Sequence, residues 1–173
     1  VAAPALRDPN FDRSVIFMLE HGPEGALGVV INRPSELPVA GTIDDWAAFA
    51  AVPTNVFIGG PVSPSSVIAL ATADPGSPTA HWTPVFADIG TIDLEGEPSQ
   101  IPGLRSVRLF AGYAGWQSGQ LEGELSTGSW MVVEAVSEDL LDPEPKSLWW
   151  RVLGRQSGPI SRLANYPEDP WVN

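Results

Sequence analysis

The sequence predicts an α+β fold. Three observations carry that expectation. Short apolar runs with strand character outnumber helical patterns, and the two kinds do not alternate regularly, as a doubly wound sheet requires. The 18 prolines and 17 glycines divide the chain into many short elements joined by tight turns. The chain has 173 residues, the size of one ordinary domain, and a single domain over residues 1–173 is expected. A hydrophobic content of 43% against 17% charged residues is a globular composition, not a disordered one.

Taken in order, residues 15–19 and 27–31 are continuous apolar runs, joined by His21-Gly22-Pro23-Glu24-Gly25. Two such runs around a glycine-bearing loop predict a β-hairpin, and their lack of alternation predicts cover on both faces. Thr42 is placed to cap a short helix that carries Asp45 in its first turn, puts Ile43, Trp46, Ala47 and Ala50 on one face, and stops at Pro53. Residues 55–58 read as a strand ended by Gly59-Gly60-Pro61, and residues 67–71 as another. Residues 74–84 are rich in Pro, Gly, Ser and Thr, which predicts a surface loop. Residues 85–94 have strand character and 95–103 are loop-like.

Residues 105–113 alternate in part, with Val107, Leu109 and Ala111 set against Arg108 and Phe110, and predict a strand. The glycine-bounded stretch 112–115 reads as a turn that hands over to a helix across residues 117–127, where Leu121 and Leu125 stand at i and i+4. Residues 130–136 predict a strong strand. Ser137 or Asp142 is placed to cap a short helical segment. Residues 145–156 predict a helix, with Leu148 and Val152 on one stripe and Trp149 and Leu153 on the next. Beyond Ser157 the chain is Pro-rich and reads as irregular.

Composition excludes several functions. With no cysteine there is no disulfide, no thiolate chemistry and no Cys-type zinc site, which agrees with a reducing cytoplasm as the expected location. No apolar run approaches the roughly 18–20 residues that span a bilayer, so no membrane is expected. The net charge is −12, Lys146 is the only lysine, and the arginines lie scattered between Arg7 and Arg162. Nucleic-acid binding works largely by neutralising phosphates, so direct binding is disfavoured. A well-solvated surface, or a patch that meets a basic partner, accounts for the acidity.

A search for reaction chemistry is nearly empty. Lys146 follows Pro145, which excludes a P-loop, and the glycines at 112, 115 and 119 do not have dinucleotide-binding spacing. In Gly115-Trp116-Gln117-Ser118-Gly119 the serine sits one place late for a nucleophile elbow. His21 and His81 are the only candidate bases for a Ser-His-Asp triad, and each reads more readily as a solvated or loop-bracing residue. Asp44/Asp45 and Glu95/Glu97 lie where surface charge is expected, and Glu122 and Glu124 on a helix point to different faces. The remaining signal is aromatic. Seven tryptophans are many for this length, and Trp116 and Tyr113 either plug the core or anchor a partner.

The assembled motifs resemble the AlgH/YqgE family. They are Asp8-Pro9, Phe11 and Arg13-Ser14-Val15; Glu20-His21; the run 25–34 through Asn32-Arg33-Pro34; Ile58-Gly59-Gly60-Pro61-Val62; and Gly112-Tyr113-Ala114-Gly115-Trp116 with Gly119-Gln120-Leu121-Glu122, Glu124 and Trp130. Arg33-Pro34 with the late Leu148-Trp149 is similar to the actinobacterial branch. Order and spacing agree along nearly the whole chain. The resemblance implies a bifurcated, mostly antiparallel sheet with a small barrel-like portion flanked by helices. It carries a description as a transcriptional regulator, through a link to alginate regulation in one bacterium, but no catalytic set and no DNA-binding motif. No catalytic residue, metal ligand or cofactor is therefore expected. The motif positions Asn32, Gly59, Gly60, Pro61, Tyr113, Gly115, Trp116, Gln120 and Glu122 are the candidate partner- or ligand-binding residues. The expected function is a non-enzymatic regulatory or interaction module with a protein partner. The alternative is a small-molecule binder or unrecognised enzyme whose pocket gathers Asn32, the Gly59-Gly60 turn and Gln120.

Overall fold

The structure, a computed structural model, describes residues 1–74 and 81–166. In chain order the elements are β1 (Ile16–Gly22), β2 (Gly25–Val30), β3 (Pro34–Pro38), α1 (Asp44–Ala47), β4 (Asn55–Ile58), β5 (Val62–Thr72), β6 (Trp82–Phe86), β7 (Ile89–Ile92), β8 (Ser106–Gln117), α2 (Gln120–Ser126), α3 (Ser137–Leu140), α4 (Leu148–Gly154) and α5 (Pro159–Arg162). Strands run β1-β2-β8-β5-β7-β6, and β3 joins through β4, which pairs with β8. Every pairing is antiparallel except β4 with β8. The sheet curls into a nearly closed barrel with one seam. Its end strands β1 and β6 approach through Phe17 and Phe86, whose ring centroids are 6.4 Å apart.

The sheet forks on β8. Phe110 and Ala111 pair with Phe57 and Ile58 of β4, whereas residues 114–117 pair with residues 25–28 of β2. Gly112, at φ +68°, lies at the change of partner. Gly59 joins the branches, its N–H donating to the Ala111 carbonyl and its own carbonyl accepting from the Val30 N–H, both at 2.8 Å. A Cβ on Gly59 would stand 2.3 Å from the Gly112 oxygen, and one on Gly60 2.2 Å from the Tyr113 carbonyl carbon. Glycine is needed here because two backbones touch.

Both faces are covered along β2, as the unalternating run predicts, whereas β1 buries Phe17 and leaves Met18 exposed. One core joins Phe17, Val29, Ile31, Phe57 and Phe110 to Leu148, Trp149, Val152 and Leu153 of α4. The other gathers Trp46, Val56, Ala69, Ala71, Trp82, Val107 and Leu109. The buried Arg108 side chain donates to the Val52 and Asp142 carbonyls at 2.7 and 3.2 Å and lies over the Phe57 ring.

Several local expectations need correction. Thr42 does not cap α1; its hydroxyl donates to the Pro38 carbonyl, and Ile43 holds the cap position. Ser137 is the first residue of α3 and not its cap, while Asp142 accepts from the Glu144 N–H in a turn. Residues 75–80 of the expected 74–84 loop lie outside the described residues, but Trp82, Thr83 and Pro84 belong to β6. The expected 85–94 strand is two strands around Ala87-Asp88, a two-residue turn without glycine. Residues 112–115 are not a turn but the continuation of β8, kinked at Gly112. Beyond Ser157 the chain forms α5 and a short 3-10 turn. Residues 130–136 form no strand. Within this stretch Trp130 alone makes an isolated bridge, to Ala2, and the following apolar run has no ladder partner among the described residues. Strand propensity expresses itself only where an edge is available in register.

Candidate functional site

Three aromatic rings meet beside the C-terminal end of β8. Trp116 and Trp130 contact edge to face at 5.7 Å, and Phe11 stacks on Trp116 at 6.4 Å and meets Trp130 edge-on at 5.5 Å. Each ring is held by backbone. Trp116 sits in the β2–β8 ladder, and Trp130 is fixed by its bridge to Ala2. Phe11 belongs to a loop clamped from the end of the hairpin. There the Asn32 amide accepts from the Val15 N–H and donates to the Arg13 carbonyl, both at 2.9 Å, and the Arg33 guanidinium donates to the carbonyls of Pro9, Asn10 and Asp12.

One carboxylate ties the cluster to α2. Glu124 Oε2 accepts from both indole N–H groups, Trp116 at 2.9 Å and Trp130 at 2.6 Å, and Oε1 accepts from the Gln120 amide at 2.9 Å. Desolvation pushes the Glu124 pKa up, but the bonds from Gln120, Trp130 and Trp116 outweigh it, and the net shift is downward. On another face of the helix Glu122 accepts from His21 at 2.6 Å, fastening the hairpin tip to α2. Its pKa is lowered by a backbone hydrogen bond and then by the bond from His21.

Beside this cluster lies an apolar slot of about 130 Å³. Trp116, Trp130, Leu121 and Leu125 line one part of it, Ile16, Phe17 and Met18 another, and the run 131–135 a third. Met18 and Val132 at its rim are 37% and 78% exposed, so apolar surface continues outward from it.

The predicted site residues separate into two groups. Trp116, Gln120 and Glu122 come together around α2. Asn32 is the clamp of the Phe11 loop, while Gly59 and Gly60 form the fork and exposed Pro61 follows it. Tyr113 packs on the core of β1, β2 and α4, and Gly115 is exposed on β8. Asn32, Gly59, Gly60 and Gln120 do not line the slot. Trp116 is 7% exposed and does not protrude as an anchor; it is a wall. Sequence reasoning omitted Glu124, Trp130 and Phe11 from the site. Their signal was present in the family stretch, which includes all three.

His21 and His81 each face a carboxylate, Glu122 at 2.6 Å and Asp93 at 3.6 Å. No group of three or more His, Asp and Glu among the described residues could hold a metal ion. No helix among them is long and apolar enough to cross a membrane.

The AlgH-like family model matches residues 1–161. The chain belongs to the AlgH-like family. A UPF0301 protein of Streptomyces coelicolor is 46% identical, over 100% of this chain and 92% of its own length. One from Mycobacterium ulcerans is 46% identical, over 95% of this chain and 84% of its own. A crystal structure of a Corynebacterium diphtheriae protein superposes with a TM-score of 0.89 at 30% identity, covering 96% of this chain and 89% of that one. The solution structure of AlgH from Pseudomonas aeruginosa gives 0.64 at 29% identity, covering 91% of this chain and 92% of that one.

Proposed function

We propose that this AlgH-like protein is a non-enzymatic interaction module of the cytoplasm, and that its slot receives an apolar side chain of a protein partner. The observation that carries the reading is the slot itself: an apolar recess with indole walls held rigid by Glu124, continuous with exposed Met18 and Val132. Rigid apolar pockets that take one anchor side chain are where interface energy concentrates. The slot is smaller than the roughly 300 Å³ and upward usual for a drug-sized ligand. The charge of −12 argues against a direct nucleic-acid target, so any part in transcription would run through a protein.

Affinity capture from native extract tests this, using wild type and Val132→Trp, which fills the mouth from an exposed position. A protein retained by wild type and lost by the folded variant is expected. Equal retention by both would overturn the reading. The second reading, a small-molecule site, draws on volume alone: an apolar cavity of about 150 Å³ accepts benzene. It is favoured if small aromatic compounds raise the Tm of wild type but not of Val132→Trp while no protein is captured.

A further inference from the structure

β1 meets the slot through consecutive residues. Successive side chains of a strand point to opposite faces, so a cavity against one face is lined by every second residue. Ile16, Phe17 and Met18 are consecutive, and all three line the slot. The slot therefore runs along an edge of β1. It is the free edge, because β2 occupies the other and β1 pairs with no further strand among the described residues. Across the slot, residues 131–135 are likewise consecutive in its lining. The Met131 N–H donates to the Val1 carbonyl, but among the described residues no backbone carbonyl accepts from the N–H groups of residues 132–135. The Glu134 carbonyl accepts from Arg155, so what borders the recess is the free edge of β1 on one side and the N–H groups of residues 132–135 on the other.

Edges are usually blunted by proline, charge or a bulge. The opposite end strand, β6, carries Pro84. β1 carries neither proline nor charge from Ile16 to Leu19, and its bulge lies beyond Met18. The edge beside the slot therefore carries none of these devices from Ile16 to Met18, and no strand among the described residues is hydrogen-bonded to it, β6 approaching through the side-chain contact of Phe86 with Phe17. Charge selects the occupant. Glu134 and Asp139 line the slot, no Lys or Arg among the described residues does, and Glu20 follows on β1. Asp139 is already paired with Arg155, which leaves Glu134 as the acidic group lining the slot, while Glu20 stands two residues beyond Met18 on β1 and lines a neighbouring recess with β6. A second copy would bring another net −12 to this rim.

We propose that the slot takes an extended peptide of a partner protein, added as a strand to the edge of β1 at Ile16, Phe17 and Met18. One apolar side chain of the peptide fills the cavity, and Lys or Arg on either side of it faces Glu20 and Glu134. This rests on the reading of the slot as a protein-docking site and specifies its mode: backbone hydrogen bonds supply affinity, the cavity and the acidic rim supply selection.

The test is fluorescence anisotropy with labelled ten-residue synthetic peptides. Their centre is Val-X-Val, with X set to Ala, Val, Leu, Phe or Trp, and two lysines stand on each side. Matched peptides carry N-methyl groups on alternate central amides, Glu for Lys, or Ser for X. Protein arms are wild type, Val132→Trp and Ala135→Trp, each confirmed folded by circular dichroism. The expected result is salt-sensitive binding by wild type that depends on X. N-methylation should weaken it at least about tenfold, since several backbone bonds are lost together. Both filled variants and the Glu-flanked peptide should lose it. Equal binding of N-methylated and parent peptides would overturn strand addition while leaving the slot as a docking site. Binding that ignores X and the filled variants would reduce the effect to charge and overturn the proposal. Failure of every Lys-flanked peptide would also overturn it, as would a dimer, seen by sedimentation, that Val132→Trp dissolves; capture from extract, scored separately, decides whether the docking reading falls too.

Discussion

Gly60→Ala should come close to unfolding this protein. Its Cβ would sit 2.2 Å from the Tyr113 carbonyl carbon, 2.3 Å from that carbonyl's oxygen and 2.5 Å from the Ala114 nitrogen, where real contacts stay beyond 3.0 Å. All three are backbone atoms of β8, so no side chain can swing away. The turn and β8 must separate, which strains the two bonds through Gly59, to Ala111 and from Val30. Overpacking costs about 1–3 kcal/mol. Two weakened backbone bonds cost about 1 kcal/mol each. Alanine at φ +154° adds about 1–2 kcal/mol of strain. The total, about 4–7 kcal/mol, is comparable to the whole stability of many domains. Urea unfolding followed by tryptophan fluorescence measures it. With a slope of about 2 kcal/mol/M, the midpoint should fall by about 2 M or more. A midpoint within about 0.3 M of wild type, a shift of about 0.6 kcal/mol at that slope, would show that the fork tolerates a side chain and that its close packing does not hold the two branches together.

Gly123→Ala provides the contrast: nothing lies within 4 Å of its Cβ position in α2, so the same assay should show stabilisation of about 0.5–1 kcal/mol. Glu124→Ala removes the acceptor of two indole N–H groups at a partly exposed site and should cost about 2 kcal/mol, lowering Tm by about 4–8 °C in a thermal melt. Because the folded-state pKa of Glu124 is lowered, its contribution is complete above about pH 4.3, the ordinary glutamate value, and is lost as pH falls through the lowered one; the gap between wild type and Glu124→Ala should close in acid melts. Arg108→Ala should cost about 3 kcal/mol in urea, since it leaves the Val52 and Asp142 carbonyls without their donor and opens a cavity beside Phe57.

Much of the fold was legible because the signals were local. Glycine and proline around His21 announced the hairpin, and the paired stripes of residues 148–153 announced α4, all four of whose stripe residues are buried. Where the signal was weak or non-local, the sequence misled. Ala87-Asp88 has no glycine to mark the turn between β6 and β7. Arg108 alternates with Val107 and Leu109 as a solvent-facing residue would, yet it is 2% exposed, because α4 and the loops after α1 and α3 cover that side of the sheet. Trp116 belongs to the family motif, but whether it protrudes or forms a wall depends on Phe11 and Trp130, which reach it from distant parts of the chain.

The most instructive failure lies at residues 130–136. Their β-branched and apolar residues have the strand propensity of an inner strand, and a sheet edge free to receive them borders the same slot. They do not pair with it; Trp116, Trp130, Leu121 and Leu125 contribute to the apolar recess between the two. Natural sequences are for the most part locally consistent with their folds, and conflicts concentrate where function requires them. Here the conflict leaves the free edge of β1 and the N–H groups of residues 132–135 on either side of an indole-walled cavity. The same interruption in the sheet thus accounts for the failed strand expectation and for the space in which a partner's strand could complete the pairing.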